Sequence, residues 1–246
     1  MTFKKHCFFV LFFACCLPAI HADDEGNKAK PAKRLKAGDF AALKLRSIGP
    51  ALMSGRISDL AIVPSKPNTW YVAAGSGNLW KTTNAGTTFK PIFENYGSYS
   101  IGCVTIDPNH HHVIWVGSGE AVGGRHVGFG DGVYVSRDAG QSFQNVGLTK
   151  TEHIAKILVD PRDSDTIYVA AQGPLWSPGG ERGLYQSTDA GKTWKCILSK
   201  GEYTGVTDIA IDPRNPRCPV CGHTPETPHG GRAAEWWPRI RHLQIA

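Results

Sequence analysis

One octet occurs three times in this chain. Thr82-Thr83-Asn84-Ala85-Gly86-Thr87-Thr88-Phe89, Ser136-Arg137-Asp138-Ala139-Gly140-Gln141-Ser142-Phe143 and Ser187-Thr188-Asp189-Ala190-Gly191-Lys192-Thr193-Trp194 share the form [ST]-x-[DN]-A-G-x-[ST]-[FW]. Asn84 and Asp138 stand 54 positions apart, and Asp138 and Asp189 stand 51 apart. Spacing of that size marks a repeat in which each copy is one supersecondary unit. Each octet also has a mechanical reading. The side chain of Asn84, Asp138 or Asp189 accepts from nearby backbone N–H groups, and Gly86, Gly140 or Gly191 supplies a position with φ above zero. Phe89, Phe143 or Trp194 then plugs into apolar surface.

The flanks of the octets repeat as well. Apolar runs end at a proline four times: Ile57 to Val63 at Pro64, Ile101 to Asp107 at Pro108, Ile154 to Asp160 at Pro161, and Val206 to Asp212 at Pro213. After the first three, a second β-rich run follows (Thr69 to Ala74, Val113 to Val116, Thr166 to Ala171), then a third into the octet and a fourth out of it. Such β-branched and aromatic runs separated by turn residues predict strands joined as a meander. Four strands per unit predict the blade of a β-propeller. The fold class is therefore all-β, an incomplete propeller of about three four-stranded blades plus the first strand of a fourth.

The octet resembles the Asp-box, or BNR repeat, of sialidases and sortilin-type receptors. Arg56-Ile57-Ser58, Trp70 to Ala73, Leu79 to Thr83, Gly128 to Val135 and Gly173 to Trp176 resemble a narrower group. These are secreted bacterial proteins labelled glycosyl hydrolases with BNR repeats, which carry a sortilin N-terminal-like propeller. The resemblance runs from about Leu45 to about Pro213.

Residues 1–22 read as a secretory signal peptide: Lys4 and Lys5, an apolar run from Cys7 to Leu17, and a small-residue stretch ending at Ala22. That run is short of the roughly 20 apolar residues that span a bilayer. A lipoprotein with lipid on Cys15 or Cys16 is the lesser alternative to a secreted or periplasmic address. Residues 23–44 read as a linker and 45–213 as the partial propeller. The formal charge of +6 does not make a nucleic-acid surface: Lys4 and Lys5 lie in the leader, five arginines face two glutamates after residue 212, and about +1 is left for the rest.

Residues 214–246 break the pattern. The second strand of a fourth blade is expected there, and Arg217 to His229 replaces it. Cys218-x-x-Cys221 with His223 and His229 lacks the second pair that a zinc ribbon requires, so no metal and no cofactor is expected. Permitted codons read one base later restore a strand and the run toward a fourth octet, so the tail is read as frameshifted. The fragment would then lack the blades that close its ring and be nonfunctional by itself. Cys103 and Cys196 are expected to be buried single thiols.

In an up-and-down blade, the octet turn and the turn between strands one and two share one face. The opposite face carries the long loops, and long loops on a rigid scaffold are where binding concentrates. Its candidate ligand contacts are Arg56, Glu120, Arg125, Asp131, Trp176 and Arg182. An ion pair or loop brace is the competing role for Arg56 and Glu120. His110-His111-His112 falls on the octet face as a solvated turn, and Gly117-Ser118-Gly119-Glu120 lacks the spacing of a nucleotide loop.

Two functions stand. One is a secreted module that binds an extracellular protein, peptide or glycan, as the sortilin resemblance implies. The other is a BNR-type glycoside hydrolase with most of its site in missing blades. That enzyme would use Glu120 or Asp131 as acid or base, Arg56 and Arg125 to hold an anion and Trp176 to stack on a sugar. Sialidase-like chemistry wants three convergent arginines and a Tyr nucleophile, and that Tyr is not identifiable. Binding is favoured, because the octet is structural wherever it occurs.

Overall fold

A computed structural model of the chain describes Lys36, residues 55–122 and 127–211, and the backbone of 219–225 and 241–244. Apart from Lys36, the leader and linker expected over residues 1–44 lie outside the described residues, as does the candidate Arg125.

The strands fall where the apolar alternation puts them. β1 (Ile57–Ile62), β2 (Trp70–Ala74), β3 (Asn78–Thr82) and β4 (Lys90–Pro91) form one antiparallel sheet in chain order. β5 (Ile101–Ile106), β6 (Ile114–Ser118), β7 (Val133–Ser136) and β8 (Gln144–Asn145) form the second, and β9 (Ile154–Asp160), β10 (Asp163–Ala171), β11 (Gly183–Ser187) and β12 (Lys195–Leu198) the third. β13 (Thr204–Ile211) opens a fourth. First strands of successive sheets pack against one another, β1 on β5, β5 on β9 and β9 on β13. This is the architecture of a partial β-propeller.

The tail departs from the expectation of a missing strand. β14 (Pro219–Pro225) pairs antiparallel with β13 and β15 (Arg241–Gln244) pairs with β14, so the fourth sheet has three strands. The reason is that β13 presents a row of backbone N–H and C=O groups along its edge, and any extended segment can satisfy them whatever its side chains.

Alternation along the second strands divides the core. Tyr71 and Ala73 pack with Ile114 and Val116 in one layer, Trp115 with Ile167 and Val169 in the next, and Tyr168 and Ala170 with Val206 and Ile209 in a third. The second and third sheets are thus buried on both faces. Each fully buried Ile or Leu contributes roughly 1.5–3 kcal/mol. β1 stands apart: Ile57, Leu60 and Ile62 are all exposed, Ile57 to 72%.

Every first strand carries a bulge at the same place. Register slips between Ile57 and Asp59, Ile101 and Cys103, Ile154 and Lys156, and Val206 and Asp208. A bulge adds one residue and bends the strand. At the first bulge the Ser58 hydroxyl donates to the Ile101 carbonyl at 2.6 Å. At the second, a Cβ on Gly102 would collide with the carbonyls of Ile154 and Gly119, so only glycine fits.

The octets are clasps, and they are built alike. In the second, the Ser136 hydroxyl donates to Asp138 Oδ1 at 2.7 Å and accepts from the Gly140 N–H at 2.7 Å, while the Ser142 N–H and hydroxyl donate to the two Asp138 oxygens at 2.9 and 2.5 Å. Ser187, Asp189, Gly191 and Thr193 repeat this, and Asn84 replaces the carboxylate in the first clasp. The alanine before each glycine is left-handed too: φ is 53° at Ala85, 58° at Ala139 and 57° at Ala190. That second left-handed residue was not foreseen from sequence, because alanine pays about 1 kcal/mol there and seldom marks it.

Each clasp also ties the two turns of its face together. The Ala85 and Ala139 N–H groups donate to the carbonyls of Asn68 and His112 in the turn between strands one and two, and the Ala190 N–H to that of Asp165 at the start of β10. The three histidines lie on that face as expected, where His111 Nδ1 is 2.7 Å from Ser65 Oγ and His110 Nδ1 is 3.1 Å from Ser164 Oγ. Cys103 is buried as expected. Cys196 is a correction: it is exposed, because β12 is the outermost strand of its sheet, and both thiols are free.

Two predictions follow from the clasp geometry. Desolvation pushes the Asp138 carboxyl up, but hydrogen bonds from Ser142, Ser136 and Gln141 outweigh it and hold the group at about 2. Bonds from Thr193 and Ser187 do the same for Asp189, at about 2. Carboxylates depressed in the fold add stability above their unfolded value near 3.9 and lose it as pH falls toward 2. Acid titration of the Asp138→Asn/Asp189→Asn protein, followed by circular dichroism, is expected to show a weaker fall in stability between about pH 5 and 2 than the parent. Separately, Gly191→Ala places a Cβ 2.8 Å from Trp115 Cη2 at a φ of 83°. It should cost about 1–3 kcal/mol, read as a lower thermal midpoint.

Candidate ligand-binding face

Opposite the clasps, the lead-ins to the first strands meet the loops between strands two and three. Backbone bonds stitch the two across sheets: the Asn78 N–H donates to the Tyr99 carbonyl at 2.8 Å, Gly130 to Glu152 at 2.7 Å and Gly179 to Glu202 at 2.9 Å. The same bond at each sheet boundary fixes this face as a continuous rim.

Arg56 and Glu120 are brought together from different sheets. Arg56 Nε and Nη2 both reach Glu120 Oε1, at 2.7 and 2.6 Å. The Glu120 side chain is nearly inaccessible, at 2% exposure, whereas the Arg56 side chain is 61% exposed. Gly75 makes the room, since a Cβ there would run into the Glu120 side chain. Glu120 Oε2 is buried with no hydrogen-bond partner among the described residues.

Beneath this pair lies Ser100. Its hydroxyl donates to the Gly75 and Gly128 carbonyls and accepts from the Glu120 N–H at 3.0 Å, so it pins loops from two sheets. His153, fully buried in the lead-in to β9, has its ring 5.7 Å from that of Phe129. Burial lowers His153 to about 4, with Arg182 nearby adding to the effect and the Glu120 backbone opposing it. It is therefore neutral above that value. Sequence gave no role to Ser100 or His153, since both act through backbone carbonyls and packing that only the neighbouring sheet supplies.

The other candidates separate. Asp131 Oδ2 accepts from the Tyr134 hydroxyl at 2.5 Å and Oδ1 from Ser118 at 3.2 Å, within its own sheet. Arg182 is buried and donates to the carbonyls of Gly179 at 2.8 Å, Gln172 at 3.2 Å, Ser177 at 2.6 Å and Pro174. It thereby braces the 172–182 loop. Trp176 is 59% exposed at the tip of that loop. Three more aromatics are exposed on the same rim: Tyr99 and Phe129, each at 58%, and Tyr203 at 36%. None of these three was among the ligand contacts expected from sequence, although Tyr99 and Tyr203 fall on strand entries expected at this face.

Sheets, clasps and rim together define a β-propeller-type protein, present in part. Solved structures share that arrangement at low identity. An ancestral GH74 enzyme superposes with a TM-score of 0.57 at 19% identity, over 77% of this chain and 25% of that one. The GH74 enzyme of Niastella koreensis gives 0.55 at 19% identity, over 77% and 28%. YCF48 bound to a D1 peptide gives 0.47 at 14% identity, over 72% and 52%. The likeness is one of fold, and this chain spans about a quarter of the length of the GH74 structures. No protein-family model and no curated protein matches the sequence.

The Arg56–Glu120 pair yields a prediction of its own. Arg56→Ala leaves the buried carboxylate without a cation and should cost about 1–3 kcal/mol. Adding Glu120→Gln should recover part of the loss, as thermal melts of the single and double variants would show.

Proposed function

We propose that this chain is part of a secreted Asp-box (BNR) propeller of the sortilin N-terminal-like kind, which binds an extracellular protein, peptide or glycan on the rim opposite its clasps. The observation that carries the reading is the set of exposed aromatics there, Tyr99, Phe129, Trp176 and Tyr203, on lead-ins and loops of successive sheets. Large exposed aromatics give contact area at low entropic cost, and sugar rings or peptide side chains stack on them. Arg56, whose side chain is 61% exposed although it is paired with Glu120, adds guanidinium donors beside them.

The glycoside hydrolase reading has less behind it. Of its two carboxylates, Glu120 is held by Arg56 and Asp131 by Tyr134 and Ser118. On the proposed reading residues 1–22 are removed on export, the frame shifts near Arg217, and further blades complete the ring. Sequencing the gene there and the mature N-terminus at Asp23 tests these parts.

For the ligand, arrays of extracellular glycans and of peptides screened against the protein give the direct test. Trp176→Ala and Tyr203→Ala are expected to weaken whichever ligand is captured by at least about tenfold with an unchanged thermal midpoint. Capture that survives both substitutions would overturn the assignment of this face.

A further inference from the structure

The residue just before the first strand holds the same place in each of the three sheets. The carbonyls of Arg56, Ser100 and His153 accept from the N–H groups of Gly75 at 2.8 Å, Gly119 at 2.8 Å and Gln172 at 3.0 Å, each the first residue after its second strand. Ser100 is fully bonded there: its hydroxyl engages the Gly75 and Gly128 carbonyls and the Glu120 N–H. His153 is not. Its side chain is fully buried, yet neither Nδ1 nor Nε2 has a hydrogen-bond partner among the described residues. The Glu120 main chain lies near the ring without bonding to it. Unbonded buried polar atoms are costly and rare in folded proteins. Ser100 demonstrates that the fold can satisfy this place with a short hydroxyl, so the imidazole is not something the fold demands.

Two features stand beside it. The ring of Phe129 lies 5.7 Å from the imidazole, tilted by 50°, and Phe129 is itself 58% exposed. Its main chain is pinned, because Ser98 Oγ donates to the Phe129 carbonyl at 2.8 Å and the Gly130 N–H to the Glu152 carbonyl at 2.7 Å. Only the side chain is left to turn between staggered positions. Glu152 is left-handed, with φ at 58°, and the His153 N–H bonds back to the Thr151 carbonyl at 2.6 Å. Tyr99, which takes the equivalent rim bond in the second sheet, is not left-handed. Strained backbone of this kind collects at binding sites.

The chemistry on offer is uncharged. Glu120 is paired with Arg56, and Arg182 is occupied by loop carbonyls. A neutral imidazole brings one N–H and one lone pair, and a hydroxyl, which both donates and accepts, can meet either. Glu120 Oε2, likewise buried and unbonded, takes a hydroxyl hydrogen equally well. We propose that His153 and Phe129 form a saccharide subsite on this rim, in which the phenyl ring turns aside to stack on a neutral sugar and a sugar hydroxyl bonds to the buried imidazole. The inference rests on the binding face proposed above and names the ligand class for the part of it between the second and third sheets.

Calorimetric titration of the full chain with cellohexaose, mannohexaose and xylohexaose tests this, alongside a galacturonate oligomer and an uncharged peptide. At least one neutral oligosaccharide is expected to bind, and to bind His153→Phe at least about tenfold more weakly. The thermal midpoint of that variant should hold level or rise, since it removes both unbonded nitrogens. His153→Gln keeps a donor and an acceptor and should recover part of the affinity, whereas Phe129→Ala should weaken it. No binding of any neutral oligosaccharide, or binding confined to the galacturonate or the peptide, would overturn the subsite. So would neutral binding that is indifferent to His153→Phe; if that binding still falls with Trp176→Ala and Tyr203→Ala, the face stands and only the subsite is lost.

Discussion

The structure depends on one hydrogen-bonded turn. A hydroxyl and a carboxylate or amide hold two consecutive residues left-handed, and the strain at alanine is offset by bonds to the backbone N–H groups that the turn would otherwise leave open. The strained geometry has a product: it turns the alanine carbonyl and the bare glycine outward, where the preceding sheet provides a donor and an aromatic ring. Local strain in one sheet thus becomes adhesion to the next.

The two faces divide the work. On the clasp face, polar side chains are consumed by turns, as with Asp107, which accepts from Asn109, His110 and Ser164. On the opposite face, the backbone bonds between lead-ins and loops satisfy the main chain and free large side chains for solvent. Arg182 and Asp131 look like ligands on paper, yet they are spent on holding loops. Trp176 and Arg56 remain presented to solvent. Rigid loops under exposed side chains are the arrangement that binding needs.

Much of this was legible beforehand. Alternation placed nearly every strand within a residue or two, and the octets placed the clasps, because both signals are local. What the sequence hid is what depends on a neighbour. Glycine at Gly75 and Gly102 answers a side chain or carbonyl arriving from the adjacent sheet. The left-handed alanines carry no composition signal, and the exposure of Cys196 follows from its position on an outermost strand. The pairing of Arg56 with Glu120 spans 64 residues and was legible only as one alternative among several.

The contacts between clasp and sheet run in one direction, the second and third clasps each covering the sheet made before it. A chain leaving the ribosome would therefore always carry one freshly made sheet whose outer flank waits for the hairpin still being translated. Progress around the axis is a zipper with its slider at the growing end.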